Sequence, residues 1–247
     1  MRVQTEEWRR FIPGVRMYKG KLTYFYNGEK LWDEENLKYL VYTKEERQKW
    51  EVIMVLPGVD VILFGTFKEC VKVETVIMND TVRLIEQYAF FACIRLVYVK
   101  LSKTLRKIGK WAFIHCLSMA TIFIPTSCGE IDEYAFQFCK NLKIIVVPAN
   151  TQCFKGAFRL FEDIPENREF THVNRREEYA LHRVCSSMDP SLDDIYRIVR
   201  EQGIIGLRRP NALNITPLQY LKANPYANVS ENEIITRYIS EMMGEIF

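Results

Sequence analysis

Four phenylalanines fall at one fixed step: Phe67, Phe90, Phe113 and Phe136 are each 23 residues apart. Cys70, Cys93, Cys116 and Cys139 keep the same step, and so do Ile62, Ile85, Ile108 and Ile131. A second apolar set, Ile53, Val76, Val99, Ile122 and Ile145, repeats at that interval, with Val55, Met78, Leu101, Ile124 and Val147 two residues further on. One such unit cannot bury its own apolar face, whereas stacked units bury a continuous one, so a period of this kind dictates a repeat solenoid.

Each period holds two apolar clusters. One alternates, as in Leu96-x-x-Val99-x-Leu101 and Leu142-x-x-Ile145-x-Val147, and predicts a strand. Pro125 and Pro148 close two of these segments, where a ladder donor is no longer needed. The other cluster reads Ile-x-x-x-Ala-Phe-x-x-Cys and predicts a short tight turn or 3₁₀ segment, in which the small Ala lets the chain pass close and the Phe fills the interior.

These motifs resemble the BspA-like leucine-rich repeat, whose copies read roughly Leu-x-x-Ile-x-Ile-Pro and then Ile-x-x-x-Ala-Phe-x-x-Cys. The resemblance covers about Trp50 to Phe161. The whole chain is also similar to intracellular-looking protist members of that family, which carry a comparable N-terminal segment and helical tail. The resemblance implies protein interaction and no chemistry. The last copy departs from the pattern: Phe158 follows Phe136 by 22 residues, and Phe161 stands where a fifth cysteine would be, as suits a terminal, capping repeat. The expected fold is an α/β repeat solenoid with a small N-terminal cap and an α-helical C-terminal region.

The flanks divide the chain further. Residues 1–49 are read as the cap over the first coil, with a hairpin turn at Asn27-Gly28 and a capping box at Thr43-Lys44-Glu45-Glu46 that starts a helix ending near Trp50. The solenoid occupies 50–161 and a charged linker 162–178. From 179 to 247 the period becomes helical. Ser191 opens one helix that Gly203 ends, and Ser230-Glu231-Asn232-Glu233 opens another, with Ile234, Ile235, Tyr238, Ile239, Met242 and Met243 along one face. Tyr179–Cys185 and Thr216–Leu221 look like two degenerate starts of ankyrin-type helix pairs, although they lie 37 residues apart rather than the usual period of about 33. A plain helical bundle is the competing reading.

Composition narrows the functional classes. Lysine plus arginine (34) nearly balance aspartate plus glutamate (31), so no global charge drives the chain toward nucleic acid or membrane. Acidic residues come early and no apolar leader follows, which argues against secretion. Seven cysteines without such a leader point to free thiols in an intracellular, cytoplasmic setting. The uncharged run from Trp111 to Gly129 is long enough to suggest a membrane span, but it lies inside the repeat array and is assigned to it. The cysteine column spreads over roughly 14 Å at about 4.8 Å per coil, so its members cannot converge on one zinc; they are read as buried packing thiols, and no metal or cofactor is expected.

Three candidate sites remain. If Val99 and Leu101 point inward, alternation turns Ile77, Tyr98, Lys100, Phe123, Ile144 and Val146 outward on the strand face. Outward strand positions are normally polar, so this stripe predicts a cover, either a partner protein or the chain's own flanks. The run Arg95, Lys100, Lys103, Arg106, Lys107 and Lys110 contains no acid and could meet a nucleic acid or phospholipid headgroups, yet only Tyr98 offers a stacking ring there, so a solvated face is preferred. His182 and Cys185 share a helix face, but without an orienting partner the histidine is read as a helix-start residue bonded to a turn. His115 falls in a repeat turn and His172 in the linker. No phosphate loop, zinc-binding helix or nucleophile elbow is present in the sequence. The reading is therefore a non-catalytic interaction scaffold for an unidentified protein, with a polyanion binder and an unrecognised enzyme as alternatives.

Overall fold

The 23-residue unit closes into one coil in the computed structural model, which describes residues 15–33, 35, 36, 38–159, 173, 174 and 180–244. Each coil contributes a strand to one parallel column and a two-residue strand to a second. The first column contains Lys21–Tyr26, Val52–Val55, Thr75–Ile77 and Tyr98–Lys100, and then Thr121–Phe123, Ile144–Val146 and Val173–Asn174. The second contains Val61–Ile62, Leu84–Ile85, Lys107–Ile108, Glu130–Ile131 and Gln152–Cys153. The isoleucines predicted to open a tight turn therefore belong to this second column, in register Ile62–Ile85–Ile108–Ile131, and the turn follows them.

The turn is built on left-handed backbone. Tyr88, Trp111 and Tyr134, two residues before the repeat Phe, and Glu69, Ala92, His115 and Phe138, just before the Cys position, have φ between 55° and 61°. A non-glycine residue there costs roughly 1–2 kcal/mol. The inter-coil ladder holds it: Phe90 N–H donates to Ala112 O at 2.8 Å and Ala92 N–H to Ile114 O at 2.9 Å, and the neighbouring coils repeat this. The two end coils use Gly65 and Gly156 instead. A Cβ at Gly156 would lie 2.4 Å from the Tyr134 ring, so the glycine is also required for space.

The repeat side chains line the interior as one column. Ring centroids along Phe67–Phe90–Phe113–Phe136–Phe158 are 5.1, 4.9, 5.1 and 5.0 Å apart, and all five rings are buried. The cysteines form a parallel row in which each thiol after Cys70 donates to a carbonyl of the preceding coil: Cys93 to Phe67 O at 3.2 Å, Cys116 to Phe90 O at 3.3 Å, Cys139 to Phe113 O at 3.2 Å. All the cysteines are free thiols. Phe161 lies outside the described residues.

At the N-terminal end the strand column begins before residue 50. Val15–Tyr18 and Lys21–Tyr26 form an antiparallel hairpin whose turn is Lys19-Gly20, with φ 49° and 79°, and not Asn27-Gly28. Tyr24 and Tyr26 face inward in register with Ile53 and Val55, so the chain after Tyr26 has to turn out toward the next coil rather than double back. Tyr24 stacks on Trp50 at 4.2 Å, and Tyr26 meets Phe67 edge-on at 5.1 Å, ending the ring column. The Thr43–Glu46 capping box forms and starts α1 (Lys44–Arg47). Inside the stack, the Ala of each turn accepts from the Phe N–H of the coil before it; the first coil has none before it, and the buried Arg47 guanidinium donates to Thr66 O in that place.

The C-terminal region consists of α2 (Ala180–Cys185), α3 (Leu192–Gln202), a 3₁₀ turn (Ile204–Arg208), α4 (Pro217–Ala223) and α5 (Glu231–Gly244). Their caps match the sequence: Ser191, Thr216 with Pro217 behind it, Ser230 paired with Glu233, and Gly203 at φ 78°. α2 packs on α3 and α4, and α3 packs on α5, so two helix pairs lie side by side. Among the described side chains of α5 only Ile234 is fully buried, and Ile239 is exposed; the side chains of Met242 and Met243 lie outside the described residues. Among the described residues no helix is long and apolar enough to cross a membrane.

Candidate interaction surface

The outward residues of the strand column divide into a covered half and an open half. Phe123 is buried, but not in the coil stack: it belongs to a cluster with Leu181, Cys185, Leu218, Leu221 and Tyr226 of the helical region, and Ile144 and Val146 pack against the same cluster. The chain's own C-terminal helices thus provide the cover over this half. Phe123 is closed to a partner while these helices are docked, and Ile144 and Val146 are half-buried beside it.

The boundary between the halves is marked in the backbone. The first strand column is hydrogen-bonded in two runs, one ending at Tyr98–Lys100 and the other starting at Thr121–Phe123, whereas the second column is continuous. At this boundary the α4–α5 connection reaches the solenoid. Tyr226 Oη donates to Leu101 O at 2.8 Å, Tyr98 Oη donates to Pro225 O at 3.3 Å, and Lys100 Nζ lies 5.9 Å from the Tyr226 ring centroid. Asn224 anchors the connection by donating to Cys185 O and Ser187 O at 3.0 and 2.7 Å. Sequence reasoning missed this contact, because Tyr226 lies outside any repeat or cap.

On the open half Phe25, Met54, Ile77 and Lys100 are successive partners in register, and the first three are half-buried. Tyr98 remains exposed at 38%. Phe25 and Met54 extend the stripe beyond the residues named from the sequence; the alternation of Lys21–Tyr26 could have revealed Phe25 had that strand been placed in the column.

Three of the six cations of the basic run are paired across coils. Lys107 pairs with Glu130 and, at 3.4 Å, with Asp132; Lys110 pairs with Glu133 at 2.6 Å; Arg95 pairs with Glu74. Glu130 and Glu133 stand 23 residues after their lysines, so applying the repeat period to the charges would have found both pairs. Lys103 and Arg106 are exposed.

The turn face carries two rows of half-buried rings. Tyr88 stacks on Trp111 at 5.1 Å and Trp111 on Tyr134 at 6.3 Å; beside them His115 lies on Phe138 at 4.8 Å and edge-on to Phe91 at 6.1 Å. These rings lie outside the continuous solenoid core.

His182 and Cys185 do not form a reactive pair. The His182 Nε2 lies 3.0 Å from Ile215 O and must carry the proton there. Burial pushes the Cys185 thiol up to about 12, which leaves it protonated and unreactive at neutral pH. Among the described residues no three His, Cys, Asp or Glu side chains converge on a common point.

Stacked parallel coils with this turn define the leucine-rich-repeat class of solenoid. More narrowly, residues 61–180 match the family described as BspA type Leucine rich repeat region, in six copies. Among solved structures, the chain is similar to the leucine-rich repeat protein of T. pallidum, at 25% identity over 61% of this chain and 64% of that one, with a TM-score of 0.44. A leucine-rich repeat protein from Bacteroides ovatus aligns at 25% identity over 60% of this chain and 37% of its own, with a TM-score of 0.44. A leucine rich cell surface protein from Faecalibacterium prausnitzii aligns at 23% identity over 56% and 35%, with a TM-score of 0.42. The chain covers less than two thirds of each of these three. No curated protein sequence matches it.

Proposed function

We propose that the chain is a non-catalytic scaffold that holds a protein partner on its solenoid surface. One observation carries this reading: the strand face already holds a folded protein unit through outward apolar side chains, with Phe123 buried among the helices, and the same face continues, apolar and half-buried, over Phe25, Met54 and Ile77, outside that helical cluster. Repeat solenoids present extended surfaces of this kind, suited to macromolecular contact. The free thiols support an intracellular, reducing setting. The two helix pairs, with Thr216 before Pro217 and His182 bonded to the Ile215 carbonyl, support an ankyrin-like reading of the tail.

Affinity capture with the intact chain, repeated with Met54→Glu on the strand face and Phe138→Glu on the turn face, tests the proposal. A protein held by the intact chain and lost from at least one variant supports it. Capture that neither substitution changes counts against a solenoid-surface scaffold.

A further inference from the structure

The half of the strand face outside the helical cluster ends in cations that have rings beside them. The Arg16 guanidinium lies 4.0 Å from the Phe25 ring centroid, Lys19 Nζ 5.5 Å from that of Tyr18, and Lys100 Nζ 5.9 Å from that of Tyr226. Among the described residues none of these three forms an ion pair, whereas Lys21 and Arg95 share Glu74, Arg83 meets Asp60, and Lys107 and Lys110 meet the acids of the next coil. We propose that this half is a docking groove for an acidic amphipathic helix of a partner protein. The inference rests on the scaffold reading and names the partner's chemistry.

Length, shape and charge each favour that occupant. Phe25, Met54, Ile77 and Lys100 run across the strands, in register, at about 4.8 Å per strand, so the strip spans roughly 14 Å. An α-helix covers that in about ten residues at its rise of about 1.5 Å each. Over Phe25, Met54 and Ile77 the strip offers side chains only, because each of their three strands has a hydrogen-bonded neighbour on both sides. An added strand would find no partners there, while a helix brings its own hydrogen bonds satisfied and needs only an apolar floor. The covered half of the same face is itself filled by helices. Cations stand at both ends, Arg16 and Lys19 at one and Lys100 at the other, so carboxylates near both ends of the helix would complete the fit. The rings beside the cationic heads keep those heads close to the apolar floor, where an incoming carboxylate is partly desolvated and counts for more.

A phage-displayed library of 12-residue amphipathic helices with randomised polar positions, panned against the full chain, tests this. The expected result is enrichment of peptides with Glu or Asp near both ends. Their affinity, read by fluorescence polarisation, should fall at least tenfold with Met54→Glu, and likewise with Arg16→Glu combined with Lys100→Glu, which leaves the core untouched. Failure to enrich, enrichment of basic or neutral helices, or binding that survives both variants would overturn the proposal. So would a dimer in sedimentation that Met54→Glu dissociates, which would make a second copy the occupant. Peptide binding that appears only after removal of residues 1–14 would assign the groove to the chain's own segment. A captured protein lost with Phe138→Glu but kept by Met54→Glu would leave the scaffold reading standing and end this one.

Discussion

The hydroxyl of Tyr226 donates to the carbonyl of Leu101 at 2.8 Å, across 125 residues of chain, at the place where the first strand column is interrupted. Neither residue is needed by the other's own unit: Leu101 belongs to the coil interior and Tyr226 to the connection between two helices. The bond couples a solenoid whose coils contact only their neighbours to a helical unit distant in sequence. Phe123 supplies the apolar part of the same joint.

The joint can be separated from the solenoid by mutation. Phe123→Asp places a charge in the helical cluster while leaving the inward columns unaltered, so the helical unit should undock. Hydrogen exchange should then rise across α2–α4 and stay unchanged at Phe90 and Phe113. Tyr226→Phe removes one hydrogen bond and should cost about 0.5–1.5 kcal/mol. Loss of protection throughout the coils in Phe123→Asp would mean that the residue serves the stack itself.

Position along the stack should set the cost of losing a ring. Phe113 lies between Phe90 and Phe136, at 4.9 and 5.1 Å, while among the described residues Phe158 stacks only on Phe136, at 5.0 Å. Phe113→Ala should cost about 3–5 kcal/mol in urea unfolding. Phe158→Ala should cost less, because its neighbour is on one side only. Equal losses would contradict a stack held by nearest-neighbour contacts.

How much of this was legible depends on whether a feature recurs in each coil. The Phe and Cys columns and the inward strand positions do recur, and the period alone placed them. Features made once, where the stack begins or where another unit touches it, leave no period to read. The Lys19-Gly20 hairpin is one case: Asn27-Gly28 has the stronger local turn preference, yet the inward pair Tyr24 and Tyr26 commits that strand to a parallel neighbour. Tyr226 is another. The paired lysines of the basic run lie between the two, since they and their acids do share the period but sit in successive coils.

Arg47 is a feature of the same single-use kind, and it carries a cost that can be measured. Its guanidinium donates to Thr66 O and approaches Cys70 Sγ at 4.0 Å, inside the buried end of the stack. Arg47→Met keeps much of the apolar volume and leaves the Thr66 carbonyl without that donor, which should cost about 1–3 kcal/mol in urea unfolding. Lys44→Ala removes an exposed ion pair with Glu69 and should change stability by less than about 1 kcal/mol. A smaller loss for Arg47→Met than for Lys44→Ala would show that the first coil does not depend on a cap.

The buried thiols set an alkaline limit on stability. Burial pushes Cys128 up to about 11 and Cys185 up to about 12, each from an ordinary value of 9.0. The unfolded chain loses these protons first as pH rises, so the folded state binds more protons than the unfolded state between pH 9 and those raised values. The stability that this proton binding represents is fully present below about pH 9 and is lost as pH climbs toward 11 and then 12, at no more than about 1.4 kcal/mol per pH unit for each thiol. Urea midpoints should therefore be level from pH 6 to pH 8 as far as these thiols are concerned, and fall from pH 9 to pH 10.5. Cys128→Ala should make that fall shallower by one thiol's share. At pH 7.5 a disulfide reagent should label neither cysteine at a rate above that of global unfolding. Rapid labelling of Cys128 or Cys185 in the folded chain, or an alkaline slope that Cys128→Ala leaves unchanged, would show that burial does not hold these thiols protonated.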